Sequence, residues 1–127
     1  MSKRQYKLHI RLPEYKHPRN SWRCAINKVV VDAMKEKNVI YTSKDKLEII
    51  ICLYFDESKL KVVDIDNRLK DIMDALQGHV GGKGKKKRGL KPIIPNDSQI
   101  YRVIAEKCLP PKQSHRIGHL IIRKYKE

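Results

Sequence analysis

Negative charge is what this chain has least of. Aspartate and glutamate number 14 against 29 lysines and arginines, a formal net charge of +15 over 127 residues. So large a surplus favours a polyanionic partner, because neutralising phosphates releases their condensed counterions. Long hydrophobic runs are missing too. The longest, Ile49 to Phe55, falls far short of the ~20 residues needed to cross a bilayer. The start M-S-K-R-Q-Y-K has no apolar stretch behind its charges, so we expect a soluble, non-secreted, cytoplasmic protein with no membrane partner. Cysteine is scarce: Cys24, Cys52 and Cys108 are odd in number, widely spaced and set among apolar residues. That pattern fits reduced core thiols better than a disulfide framework or a zinc site. The length suits one domain, residues 1–127, with one core.

Four of the 14 acidic residues gather in one place. V63-D64-I65-D66-N67-R68-L69-K70-D71-I72-M73-D74 holds four aspartates in twelve residues, and the elements around it show where they stand. Tyr6, Leu8, Ile10 and Leu12 alternate with polar residues up to Pro13, the period of a half-buried strand. After a proline-rich loop, Asn20 or Ser21 is placed to cap a helix. Its stripe runs through Trp22, Ala25, Ile26, Val29, Val30, Ala33 and Met34 to about Lys37. L47-E-I-I-I-C-L-Y-F reads as a central strand. From Asp66 to Gln77, Leu69, Ile72, Met73 and Leu76 form one face of a second helix. Asn67, Lys70, Asp71 and Asp74 form another, polar face. Residues 78 to 91 hold five glycines and six cations, so the region 78–95 is expected as a mobile basic loop. Two more strands, about 98–108 and 117–125, finish the chain around Pro110 and Pro111. The class is α/β (α+β), a mixed sheet of about four strands with two main helices on it.

Asp64 and Asp66 are two apart, so on extended backbone they project to one side and can share a hard cation such as Mg²⁺. The plainer reading makes Asp66 a helix cap and Asp64 a solvated loop residue. Lys70, one turn on, forms either an ordinary surface ion pair with Asp66 or a cation that stabilises charge developing on phosphate. Asn67 orients a carboxylate or is an exposed first-turn residue. Asp74 is able to pair with Lys70, and Asp71 also belongs to the polar face. Asp97, in P95-N-D-S-Q99, is a turn residue unless its strand neighbours the one leading to Asp64. In that case it completes a three-carboxylate cluster for one or two metal ions. His79, His115 and His119 have no consistent metal-ligand spacing.

The order D64-I-D66-N67-x-x-K70, then D74-A-L76, then N96-D97-S-Q99 ahead of a strand resembles the RusA family of Holliday junction resolvases. The likeness is strongest over about residues 60 to 110. It implies a small homodimer that binds four-way DNA junctions and cuts two opposed strands with Mg²⁺, or with Mn²⁺ in its place, in recombination and repair in a bacterium or phage-infected cell. By position, Asp64, Asp66 and Asp97 become metal-binding catalytic carboxylates, Lys70 the catalytic lysine, and Asn67 and Asp74 supporting residues. The chain departs from the family in having Asn96 where a second acid often precedes the last catalytic aspartate, and in the longer stretch between Leu76 and Asp97. Lys83, Lys85, Lys86, Lys87, Arg88 and Lys91 are expected to meet DNA phosphates, which carry little sequence information. Each chain has one carboxylate cluster and a junction has two equivalent strands, which also favours a dimer. Two other readings stand beside this one. One is a non-catalytic basic nucleic-acid-binding module, for example ribosome-associated; the other is a nuclease for flaps, forks or RNA-containing duplexes.

Overall fold

The apolar run that starts at Leu47 becomes the strand around which the molecule is built. The computed structural model describes residues 6–15, 18–82, 85–88, 90–110 and 117–126. In chain order come β1 (Leu8–Arg11), α1 (Arg19–Lys37), β2 (Leu47–Tyr54), α2 (Glu57–Leu60), α3 (Ile65–Leu76), β3 (His79–Gly82) and β4 (Lys85–Arg88). A 3-10 turn (Asp97–Gln99), β5 (Ile100–Cys108) and β6 (Gly118–Lys124) complete it. β1, β6, β2 and β5 form one sheet in that order. β2 pairs antiparallel with β6 and parallel with β5, and β1 pairs antiparallel with β6. The sheet is mixed because a parallel neighbour needs a crossover, here supplied by α2, α3 and the β3–β4 ribbon.

Period-two alternation selects the core face. Leu8, Ile10, Leu47, Ile49, Ile51, Leu53, Leu120 and Ile122 form one buried cluster with Trp22, Ile26 and Val30 of α1 and with Ile72, Ala75 and Leu76 of α3. Each large apolar side chain buried this way contributes about 1.5–3 kcal/mol. Asn27, buried in α1, donates to the carbonyls of Ala75 (3.0 Å) and Lys91 (2.9 Å), so one side chain ties α1 both to α3 and to the chain beyond the ribbon.

Several local expectations change. α1 starts at Arg19 with Pro18 in the cap position and no side-chain cap bond, so Asn20 and Ser21 sit inside its first turn. Pro18 is extended (φ −71°, ψ 168°) and its carbonyl accepts the Ser21 N–H at 2.9 Å, so the first helical turn already closes on the residue ahead of the polar pair. The stretch after β2 gains a short helix that sequence reading passes over. Asp56 caps it, accepting from the N–H of Lys59 (3.1 Å) and the hydroxyl of Ser58 (2.7 Å). The Ser58 bond, then the Lys59 amide, hold the Asp56 carboxyl below its ordinary range.

In place of an unpaired loop, His79–Gly82 and Lys85–Arg88 form an antiparallel ribbon. Gly78, at φ 78°, turns the chain out of α3, and a Cβ there would lie 2.6 Å from the Leu90 carbonyl oxygen. Leu90 N–H bonds the Gly78 carbonyl, and the N–H groups of Ile93 and Ile94, both buried, bond that of Leu76. Backbone pairing and two core isoleucines thus order a base that composition suggests is loose. Lys83 and Pro111 lie outside the described residues. Cys24 is exposed, not a core thiol. Cys52 and Cys108 are half-buried with their sulfurs 3.1 Å apart, and burial, helped by the Cys108 contact, pushes the Cys52 thiol up to about 12. Among the described residues no helix is long and apolar enough to cross a membrane.

Candidate active site

The aspartate cluster sits where the crossover turns into α3. Asp64 is the cap of that helix: its backbone is extended, and Oδ1 accepts the N–H of Asp66 at 3.0 Å. Asp66 lies in the first turn instead of capping, and both carboxylates are exposed. The cap bond uses one oxygen of Asp64 and draws the two residues into a single turn, where the positive end of the helix dipole favours negative charge. Asn67 and Lys70 are exposed on the same helix. Mg²⁺ is commonly held by one or two carboxylates, its other ligands being water and substrate phosphate, and Asp64 with Asp66 is a donor set of that kind.

What holds this turn in place comes from β5. Lys107 Nζ donates to the carbonyl of Val63 at 2.9 Å and also to that of Leu60, fixing the segment just before Asp64 against the end of the strand. A cleft of about 360 Å³ opens beside it, lined by Val63, Asp64, Asn67, Arg68, Tyr15 and Arg19 among others. The Arg68 guanidinium lies 3.5 Å from the centre of the Tyr15 ring and 5.8 Å from that of Trp22. Stacking of this kind fixes a cation without neutralising it. A second cleft, of about 840 Å³, shares Tyr15, Val62, Val63 and Arg68 with the first and runs on past Tyr54 and Phe55. Sequence reading missed Tyr15, Arg19 and Arg68. An arginine inside an acidic motif, with aromatics far upstream, gives no periodic signal.

Asp71 and Asp74 are not on a solvated face. Asp71 is 1% exposed and accepts from Arg19 (Nε, 2.9 Å) and from Arg23 (Nε, 3.1 Å), while Asp74 pairs with Arg23 at 3.1 Å. Arg19 and Arg23 are one turn apart on α1, so they meet two carboxylates one turn apart on α3. The Asp71 hydrogen bond, against the cost of burial, raises the Arg19 pKa further above its already basic value. The partner of Asp74 is therefore Arg23 instead of Lys70, and its support is structural, holding α3 to α1.

Asp97 is in a different place from Asp64. β5 does neighbour β2, as the three-carboxylate expectation requires, but the two run parallel: Leu47 pairs with Ile100 and Tyr54 with Cys108. The chain leaves β2 for Asp64 at one end, and Asp97 enters β5 at the other. Gln99 anchors that far end, its Nε2 donating to the carbonyls of Thr42 (2.7 Å) and Asp45 (2.8 Å), just ahead of β2. Asn96, in the position where the family often has an acid, caps the 3-10 turn: its Oδ1 accepts Ser98 N–H at 3.0 Å, and Gln99 Oε1 accepts Asn96 N–H at 2.9 Å. From Ile100 to Lys107 the strand covers roughly 23 Å, at the usual rise per extended residue. Accordingly, among the described residues no three His, Cys, Asp or Glu side chains gather closely enough to hold a metal ion.

The remaining candidates fall as follows. Lys91 is exposed, and Lys85, Lys86, Lys87 and Arg88 form the backbone of β4. His119 shares a hydrogen bond with Tyr54 (3.1 Å) and stacks edge-on with His9, so it has a structural role. His115 lies outside the described residues. Compared with models of known families and with curated proteins, the chain matches none.

Proposed function

We propose that the chain is a metal-dependent, structure-selective endodeoxyribonuclease that binds four-way DNA junctions as a homodimer and nicks two opposed strands. The observation that carries this is the exposed Asp64–Asp66 pair in one helical turn, with Asn67 and Lys70 exposed on the same helix, beside a cleft bordered by Arg19 and Arg68. Two open carboxylates on a chain of net charge +15 invite a cation, and the surrounding positive charge draws DNA to it. A bound Mg²⁺ supplies Lewis acidity and a water of lowered pKa. Lys70 holds positive charge near the scissile phosphate, and Arg19 and Arg68 hold the backbone entering the cleft. The RusA-like order of residues supports the same reading.

The separation of Asp97 from Asp64 within one chain favours a second reading, a basic nucleic-acid-binding module whose aspartates cap and solubilise. A synthetic junction incubated with Mg²⁺ or Mn²⁺ separates them. Paired nicking, abolished by Asp64→Asn with binding kept, is the expected result. Binding without any cutting in either metal establishes the module, and cutting confined to flaps or forks moves the substrate.

A further inference from the structure

We infer that the end of the sheet away from Asp64 binds single-stranded DNA, with bases stacked on Tyr101 and Tyr125 and phosphates held by Arg102, Arg123 and the lysines around them. That the nucleic acid is DNA rests on the reading above; cutting is not required.

The platform begins with an irregularity in the sheet. Leu47 pairs with Ile100 but Glu48 pairs with Arg102, so Tyr101 is an extra residue that the ladder skips. A bulge of this kind bends the strand and re-aims a side chain. Tyr101 is 54% exposed, and its ring centre lies 5.4 Å from that of Tyr125. Tyr125 follows β6 directly, and its N–H bonds the carbonyl of Lys46 at 2.9 Å, which fixes the second ring beside the start of β2.

Cations interleave with the rings. Lys46 Nζ lies 5.4 Å from the centre of the Tyr101 ring, the Arg102 guanidinium 5.0 Å from that of Tyr125, and Lys124 Nζ 5.5 Å from that of Tyr6. Glu48 orients two guanidinium groups: it faces Arg102 on one neighbouring strand and Arg123 on the other, and bonds both. One carboxylate is thus shared by two arginines, each with 44% of its side chain exposed, and the group keeps a net positive charge toward solvent. A cleft of about 550 Å³ opens here, lined by five cations, Lys7, Arg102, Arg123, Lys124 and Lys126, against the single carboxylate of Glu48.

That combination selects the partner. Phosphate needs only cations, and in a duplex the face of each base is covered by its neighbours in the stack. Exposed rings and a guanidinium stacked on one of them serve bases whose faces are open, and such stacking accepts any base. The platform is also distinct from the carboxylate turn. It stands at the Leu47 end of β2, whereas the chain reaches Asp64 only after Tyr54, roughly 23 Å along the strand at the usual rise. It is therefore a second DNA contact, one that an unpaired arm of a branched substrate can occupy while duplex lies elsewhere on the protein.

The test uses the full-length chain, a short fluorescent oligothymidine and a hairpin duplex of equal charge. Tyr101→Leu and Tyr125→Leu should each weaken oligothymidine binding by about ten-fold, while Tyr101→Phe and Tyr125→Phe, which keep the ring, should change it by less than about two-fold. Hairpin binding should move little in all four variants, which also shows that the fold is kept. The slope of affinity against salt should stay as it is, because no charge is removed. An oligonucleotide carrying 5-iododeoxyuridine, irradiated in the complex, should cross-link to Tyr101 or Tyr125 when the adduct is mapped by mass spectrometry. Equal losses for oligothymidine and hairpin, wild-type affinity in both leucine variants, or cross-links confined to other residues would overturn the inference. In each of those cases a four-way junction that is still bound and cut leaves the nuclease reading standing. A chain that binds neither oligothymidine, hairpin nor junction overturns both.

Discussion

Lys107 donates its ammonium group to the carbonyl of Val63, 2.9 Å away, and so couples the end of a sheet strand to the residue before the cap of α3. The same ammonium also serves Leu60. Two loop carbonyls thus depend on one cation from the sheet. Replacing Lys107 by methionine keeps much of the stem packing and removes both bonds. The expected cost is about 1.5–3 kcal/mol in urea unfolding, with faster amide exchange over residues 60–66 and little change in the sheet. Unchanged exchange in that segment would show that the turn is held by something else.

The α1–α3 ion cluster divides into an inner and an outer arginine. Arg23 has 9% of its side chain exposed, Arg19 44%, and both meet Asp71. Asp71→Ala leaves the buried Arg23 guanidinium with Asp74 and the Asn20 side-chain oxygen, short of one carboxylate, and a loss of about 3–5 kcal/mol is expected. Arg19→Ala, at the solvated rim, should cost ~1 kcal/mol or less. Comparable losses for the two would mean that burial does not govern this cluster. Because Arg19 also borders the cleft, its removal should weaken DNA binding more than it weakens the fold.

The order of elements is largely legible in the sequence because each carries its own periodicity. Tyr6 to Leu12 alternates, and Leu69, Ile72, Met73 and Leu76 recur at helical spacing, whatever surrounds them. The mixed four-stranded sheet with two main helices follows from those patterns. The direction of β5 does not. Whether it runs with or against β2 depends on how the crossover returns, and no residue of β5 encodes that. So the adjacency needed to bring Asp97 to Asp64 is met while the convergence fails. The burial of Asp71 and Asp74 was hidden for a related reason: an aspartate pair one helical turn apart looks the same whether it faces water or two arginines 48 to 52 positions upstream. The β3–β4 ribbon was obscured by composition, since glycine and lysine are poor strand formers and only backbone pairing and the buried Ile93 and Ile94 reveal its ordered base.

Glu48 predicts the acid response of the sheet. It is buried on β2 with Arg123 and Arg102 bonded to its two oxygens, and the Arg123 bond, opposed by desolvation and joined by Arg102, holds its carboxyl below the ordinary glutamate range. A carboxylate whose folded pKa is depressed binds its proton more readily when unfolded. Its stabilisation is therefore complete above the unfolded pKa and fades as pH falls through the folded one. Urea midpoints measured from pH 7 downward should drop through the acidic range in the wild-type chain. They should fall less steeply in Glu48→Gln, which begins less stable at neutral pH. Parallel curves would assign the acid sensitivity to other groups.

Lys70→Ala separates a catalytic cation from a binding one. One charge among 29 lysines and arginines adds little to the affinity for a junction, so the dissociation constant should stay within about two-fold, by the small change in counterion release. If Lys70 stabilises charge that appears only in the transition state, cleavage should slow by about 100-fold or more under single-turnover conditions. Equal losses in binding and cleavage would reduce it to a contact residue.

If the basic ribbon meets DNA, added salt reveals it. Lys85, Lys86, Lys87 and Arg88 occupy four consecutive positions of β4. Each phosphate neutralised contributes about 0.9 to the slope of log affinity against log salt on duplex DNA. Substituting all four by glutamine should therefore lower that slope by about 0.9 for each one that meets phosphate, up to about 3.6, with the fold kept because Gly78, Ile93 and Ile94 anchor the base. Junction binding measured between 50 and 200 mM salt counts these contacts, and a slope that does not move removes the ribbon from the DNA interface altogether.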